Sequence, residues 1–128
     1  MKVLLDTHAF LWWDLDDVRL SDTARAIIAD GDNQIVVSAA SVWEVAVKAA
    51  KGRIDLPSDL DAYVEDRLRR YRWAALPIDE RHVVRAARLP MIHADPFDRM
   101  LVAQAQLEAM PILTTDAALT RYDVETIW

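Results

Sequence analysis

Four carboxylates in this chain stand where apolar runs begin or end. They are Asp6 after Val3-Leu4-Leu5, Glu44 early in the run from Ala39, Asp98 in the first turn of the run from Pro96, and Asp116 after Ile112-Leu113-Thr114-Thr115. A charge at the edge of a core is expensive unless it is paired, and a metal ion is one partner. The chain has no cysteine, so the available ligands are carboxylates and histidines, and a hard oxygen set favours Mg²⁺ or Mn²⁺ over Zn²⁺. Such a cluster orients a water and neutralises a phosphodiester during in-line attack, the chemistry of metal-dependent nucleases. There is no serine in a nucleophile elbow, no Walker-type glycine loop, and two glycines are too few for a dinucleotide fold.

Each acid also has a plain structural explanation. Asp6 can serve the turn into a following helix, and Asp116 can cap a short helix at Ala117. Ser41-Val42-Trp43-Glu44 fits a capping box, with Lys48 one turn on as an ion-pair partner. Asp95 can cap a helix whose first residue, Pro96, has no amide proton to lose, and Asp98 complements that helix dipole.

The elements that must position these acids alternate in type. Lys2 to Leu5 reads as a buried strand, with Thr7 able to cap a short helix over His8 to Leu15. Ser21 caps Asp22 to Asp30, and Gly31 stands where a helix end favours a left-handed residue. Gln34 to Ser38 is a strand, Ala39 to Lys51 a helix stopped by Gly52. Pro57-Ser58 begins another helix, with Leu60, Val64 and Leu68 as its stripe. Trp73 to Ile78 is a weak strand because of Pro77. Helices follow at Asp79 to Leu89 and Pro96 to Glu108, then a strand at Pro111 to Thr115, a helical turn at Ala117 to Tyr122, and a last strand at Val124 to Ile127. Continuous apolar strands alternating with helices predict an α/β sandwich with a parallel sheet covered on both faces. Ligands in such sheets bind at the carboxyl ends of strands.

At 128 residues and 53% apolar content the chain is expected to form one domain over residues 1–128. No apolar run reaches bilayer length, and Asp6 interrupts the N-terminus too early for a signal sequence, so a cytoplasmic protein is expected. A net charge of −6 argues against loose, charge-driven binding to nucleic acid, although metal ions and a local basic patch can still present a positive surface to phosphate.

Taken together, Leu5-Asp6-Thr7-His8, Ser41-Val42-Trp43-Glu44-Val45, Asp95-Pro96-Phe97-Asp98-Arg99 followed by Ala103-Gln104-Ala105, and Thr114-Thr115-Asp116 resemble the PIN-domain ribonucleases of the VapC toxin kind over essentially the whole length. The resemblance implies a five-stranded parallel sheet, a Mg²⁺- or Mn²⁺-dependent endoribonuclease acting on RNA, a homodimer, and a cognate antitoxin. By position, Asp6, Glu44, Asp98 and Asp116 match the acidic quartet, with Asp6, Asp98 and Asp116 as metal ligands. Thr7 matches a supporting hydroxyl, and Asp95 and Thr115 are further supporting residues. His8 replaces the asparagine common in the wider family, and Asp95 is an extra acid of one branch.

Other features carry less. His8, His82 and His93 are scattered, and Arg67, Arg69, Arg70 and Arg72 follow acids in the order a helix dipole favours. Adjacent Trp12 and Trp13 on one short helix cannot both face inward easily, so they are assigned to a partner surface. Two other classes compete. A receiver-like Mg²⁺-binding signalling module would require paired acids after the first strand and a lysine at the last strand end. A catalytically silent interaction protein would use these acids only as caps.

Overall fold

Val3, Leu4 and Leu5 are all fully buried, yet neighbours on a strand point to opposite faces, so this strand is covered on both sides. Val3 and Leu5 join one apolar cluster with Phe10, Leu11, Ala24 and Ile28. Leu4 joins another with Val36, Leu101, Val102 and Ile112. The computed structural model describes residues Met1–Trp128. Its elements are β1 (Lys2–Leu5), α1 (Thr7–Asp14), α2 (Asp22–Ala29), β2 (Gln34–Ser38), α3 (Ala39–Ala50), α4 (Leu60–Tyr71), β3 (Ala74–Leu76), α5 (Glu80–Arg88), α6 (Pro96–Leu107), β4 (Ile112–Leu113) and β5 (Thr126–Ile127), with a 3-10 turn at Leu119–Arg121.

All strands pair in parallel in the order β3-β2-β1-β4-β5. This is the expected five-stranded sandwich. The chain moves outward from β1 through β2 to β3 and then returns to the other side of β1 with β4, so the connections diverge at the β1–β4 junction. A crevice opens at such a switch point, beyond the carboxyl ends of the strands. No helix is long and apolar enough to cross a membrane.

Several local expectations shift. Thr7 is the first residue of α1 rather than its cap, because Asp6 takes the N-cap position with extended backbone. The N-cap of α3 is Ser38, whose hydroxyl accepts from the Ala40 amide, so Ser41 lies one turn inside and makes no capping box with Glu44. Helix α4 begins after Asp59, not at Pro57-Ser58, since the Asp59 carboxylate accepts the Ala62 amide and satisfies an orphan donor. Gly31 does not have positive φ; α2 leaves through extended Asp30, whose side chain accepts the Asp32 amide. Gly52 does take the left-handed conformation, at φ +72°.

Asp14 closes α1 with a buried side chain. It accepts from Tyr63 Oη at 2.6 Å, Tyr71 Oη at 2.7 Å and Arg67 Nε, which tie α1 to α4. Arg67 also pairs with Asp66 and lies 4.8 Å from the Tyr63 ring centroid. Its guanidinium is committed within the fold and is not free for an RNA backbone.

Candidate active site

The strand ends and helix starts that face the β1–β4 crevice carry the acids. Asp6 follows β1 directly and is 4% exposed. It makes no side-chain cap bond to α1. Its Oδ2 instead accepts the Thr114 hydroxyl at 2.6 Å, and Thr114 Oγ1 in turn accepts the Asp116 amide at 3.0 Å. One buried hydroxyl thus joins the end of β1 to the loop after β4. Thr115, the expected supporting residue, is exposed; two-residue alternation turns Thr114 inward and Thr115 out.

Glu44 lies on the second turn of α3 and is also 4% exposed. Lys48 Nζ donates to its Oε2 at 2.6 Å, one turn along the helix. Its Oε1 is buried without any hydrogen-bond partner. A buried carboxylate oxygen left unpaired carries a desolvation cost that a cation would remove. Thr7 supports this side of the site by donating its hydroxyl to Ser41 Oγ at 3.0 Å, locking α1 to α3.

Asp95 and Asp98 divide the work at the start of α6. Asp95 Oδ1 accepts the amides of Phe97 and Asp98, so this acid is the cap. Asp98 is left free of backbone amides and turns to His93, whose Nε2 lies 2.8 Å from Asp98 Oδ2 and 3.7 Å from Asp116 Oδ2. One nitrogen of His93 and one oxygen each of Asp98 and Asp116 lie within 4.8 Å of one another, close enough to share an ion. Asp116 plays both parts, since its Oδ1 caps the Ala118 amide at 2.9 Å while Oδ2 faces His93.

Residue type alone did not single out His93 from the other histidines. Its role depends on the loop before α6, where buried Arg99 donates to the carbonyls of Pro90, Ala86 and Leu89 and reaches toward His93 O. Trp12 and Trp13 are half-buried, packed edge-on against Trp128 and Tyr71. The most exposed tryptophan is Trp43, at 58%, edge-on to Phe97 beside the site.

The electrostatics follow from this crowding. Burial raises the Asp6 carboxyl, with the Thr114 hydroxyl working against it. Asp98 is pushed up to about 7, first by burial and then by the carboxylates of Asp6 and Asp95. A carboxyl whose folded pKa exceeds its unfolded value of 3.8 binds its proton more tightly when folded, so ionising it costs stability. The metal-free protein should therefore lose stability as pH rises from about 5 to about 7, above the range in which the lowered acids Asp79 and Glu108 titrate. Thermal melts in EDTA across that range test this, and a melting point that climbs instead would show that Asp98 is already ionised below it.

The donor set fits a hard divalent cation. Carboxylates come from four separate segments, one imidazole stands beside them, and Glu44 Oε1 awaits a partner. Residues 3–125 match the PIN domain family. Ribonuclease VapC22 of Mycobacterium tuberculosis is 30% identical over 118 residues, covering 91% of this chain and 88% of that protein. Ribonuclease VapC16 of the same organism is 41% identical over 58 residues, 45% of this chain and only 41% of that protein's length. Solved structures of the same fold include VapBC2 from Rickettsia felis bound to a promoter DNA fragment, at 12% identity with 99% of this chain and 98% of that chain covered and a TM-score of 0.68. VapBC-5 from Mycobacterium tuberculosis aligns at 20% identity over 98% and 97% of the two chains, with a TM-score of 0.61. With the acids of four segments gathered at the switch point of a five-stranded parallel sheet, and with this match over nearly its whole length, the chain belongs to the PIN-domain family and is of the VapC kind.

Proposed function

We propose that this protein is a Mg²⁺- or Mn²⁺-dependent endoribonuclease that hydrolyses RNA phosphodiester bonds as the toxin of a toxin–antitoxin pair. The observation that carries the reading is the buried Glu44 Oε1 without a partner, beside Asp98, which burial and then the neighbouring carboxylates of Asp6 and Asp95 push up. Asp6, Asp98 and Asp116 would hold the ion, with Glu44 completing its surroundings. The divalent ion supplies charge neutralisation of the phosphodiester and activation of water. The chain's own residues supply orientation. Thr114 fixes Asp6, His93 fixes Asp98 against Asp116, and Lys48 anchors Glu44 so that one of its oxygens is committed and the other is free. Labelled single-stranded RNA incubated with the protein should be cut with Mg²⁺ or Mn²⁺ and left whole in EDTA. RNA left intact under both conditions would sink the reading.

The proposal extends to partners. VapBC2 was solved bound to promoter DNA, and another solved relative is a toxin–antitoxin complex from Klebsiella pneumoniae. We propose a homodimer in the cytoplasm and a cognate antitoxin that covers the Trp12–Trp13 helix and extends an arginine or lysine toward Asp6 and Asp98. An arginine fork can bridge two carboxylates and stays charged at working pH. Cation and metal would then compete for the same oxygens, so antitoxin affinity should fall as Mg²⁺ rises at constant ionic strength. Calorimetric titration at several Mg²⁺ concentrations reads this directly, and an affinity indifferent to Mg²⁺ would mean that inhibition blocks RNA at a distance.

A further inference from the structure

Beside the carboxylates runs a second cleft, of about 690 Å³, lined among others by His8, Trp12, Arg19, Lys48, Arg53 and Asp55. It adjoins the site through two residues, His8 two positions after Asp6 and Lys48, the ion-pair partner of Glu44. Of the three permanent cations in this lining, Arg19 is bound by Asp17 and Lys48 by Glu44, which leaves Arg53 as the one free to meet a ligand. Arg53 is exposed and has no ion-pair partner among the salt bridges of the molecule. The turn at left-handed Gly52 folds it back, so that the Arg53 amide donates to Lys48 O at 2.9 Å and the residue sits over the end of α3.

The opposite wall is aromatic. The exposed His8 ring lies 5.4 Å from the Trp12 ring at a 37° tilt, and the Arg19 guanidinium lies 4.8 Å from the Trp12 centroid. Trp128 braces Trp12 edge-on at 5.7 Å. Aromatic faces and an unpaired cation around one groove suit an unpaired nucleotide, because every base offers a face to stack and every nucleotide carries a phosphate.

We propose that this cleft is a nucleotide subsite flanking the scissile phosphate, with the base against His8 and Trp12 and the adjoining phosphate held by Arg53. The proposal rests on the ribonuclease reading above. It is tested with the Asp98→Asn protein, which binds RNA without cutting it, a short fluorescein-labelled single-stranded RNA and Mg²⁺, read by anisotropy. Trp12→Ala and His8→Ala should each weaken binding about ten-fold, and Trp12→Phe should restore most of the loss. Arg53→Ala should weaken binding for all sequences and lower the salt slope by about one. Arg88→Ala, on an exposed part of α5, should change nothing. His8 is exposed, so its variant still tests the wall if Trp12→Ala does not fold. The subsite is overturned if the unsubstituted protein cuts RNA and the Asp98→Asn protein binds it, while His8→Ala and Arg53→Ala in that background bind as tightly as Asp98→Asn alone. It is equally overturned if these changes lower affinity only for an antitoxin, which would make the cleft a protein surface. An unsubstituted protein that does not cut RNA, together with an Asp98→Asn protein that does not bind it, would fail at the ribonuclease reading itself.

Discussion

Asp98→Asn should leave the protein folded and more stable while lowering Mg²⁺-dependent RNA cleavage about a thousand-fold, which corresponds to about 4 kcal/mol of transition-state stabilisation. The carboxyl is 9% exposed and is pushed up to about 7 by burial, Asp6 and Asp95. An amide of the same shape keeps an oxygen for His93 and removes a like charge from the cluster. Relief of that repulsion should raise the metal-free melting point at about pH 7.5 and flatten the decline between about pH 5 and 7. If Asp98 served only the dipole of α6, the same change would keep activity and cost no more than about 1 kcal/mol. Asp95 supplies the contrast, because its Oδ1 is taken by two backbone amides. Asp95→Ala should cost about 1 kcal/mol of stability and leave cleavage largely intact. Cleavage at the parental rate by Asp98→Asn would move the role to Asp95.

Arg99→Met should destabilise the fold by about 3 kcal/mol or more, the largest stability effect expected of any single polar side chain here. Its guanidinium is 8% exposed and has no carboxylate partner. It donates at 2.8 Å to Ala86 O, 3.0 Å to Leu89 O and 2.9 Å to Pro90 O, with longer approaches to His93 O and Tyr122 Oη. The carbonyls at the end of α5 have no onward helix partners, and a cation there also meets the negative end of the helix dipole. Methionine retains the stem volume and takes the side-chain donor from Ala86 O and Leu89 O, while Pro90 O keeps the Ile92 amide at 2.9 Å. Arg99→Lys should recover only part of the loss, since an ammonium is not a planar fork. Urea denaturation with the slope compared between variants measures the effect. Parental stability for Arg99→Met would mean that water satisfies the carbonyls. The same variant should weaken the hold of the 90–94 loop on His93, so its residual cleavage should fall even where the protein is fully folded.

Signals confined to a few residues proved readable from the chain. Val3-Leu4-Leu5 and Ile35-Val36-Val37 are buried strands, Ser21 and Asp95 are caps, and the alternation of runs led to a parallel sandwich. The short strands are where reading by pattern overran. Pro111 to Thr115 and Val124 to Ile127 contain only Ile112–Leu113 and Thr126–Ile127 as paired strand, because pairing lasts only while a neighbour supplies ladder partners, here Leu4 and Leu5 of β1 for β4.

Residue type and position, then, determined that acids end their elements at one edge of the sheet, since caps, turns and apolar runs are decided by neighbours within a few positions. Tertiary structure alone decided what each acid does there. Thr114 rather than Thr115 meets Asp6 across 108 positions of sequence, and Thr7 meets Ser41 across 34. His93 joins Asp98 and Asp116, Asp14 holds Arg67, and Glu44 is buried with one oxygen unpaired. Such pairings close long loops, and no local preference encodes them. They exist because packing on both faces of the sheet brings distant segments together and forces each buried polar group to find a partner.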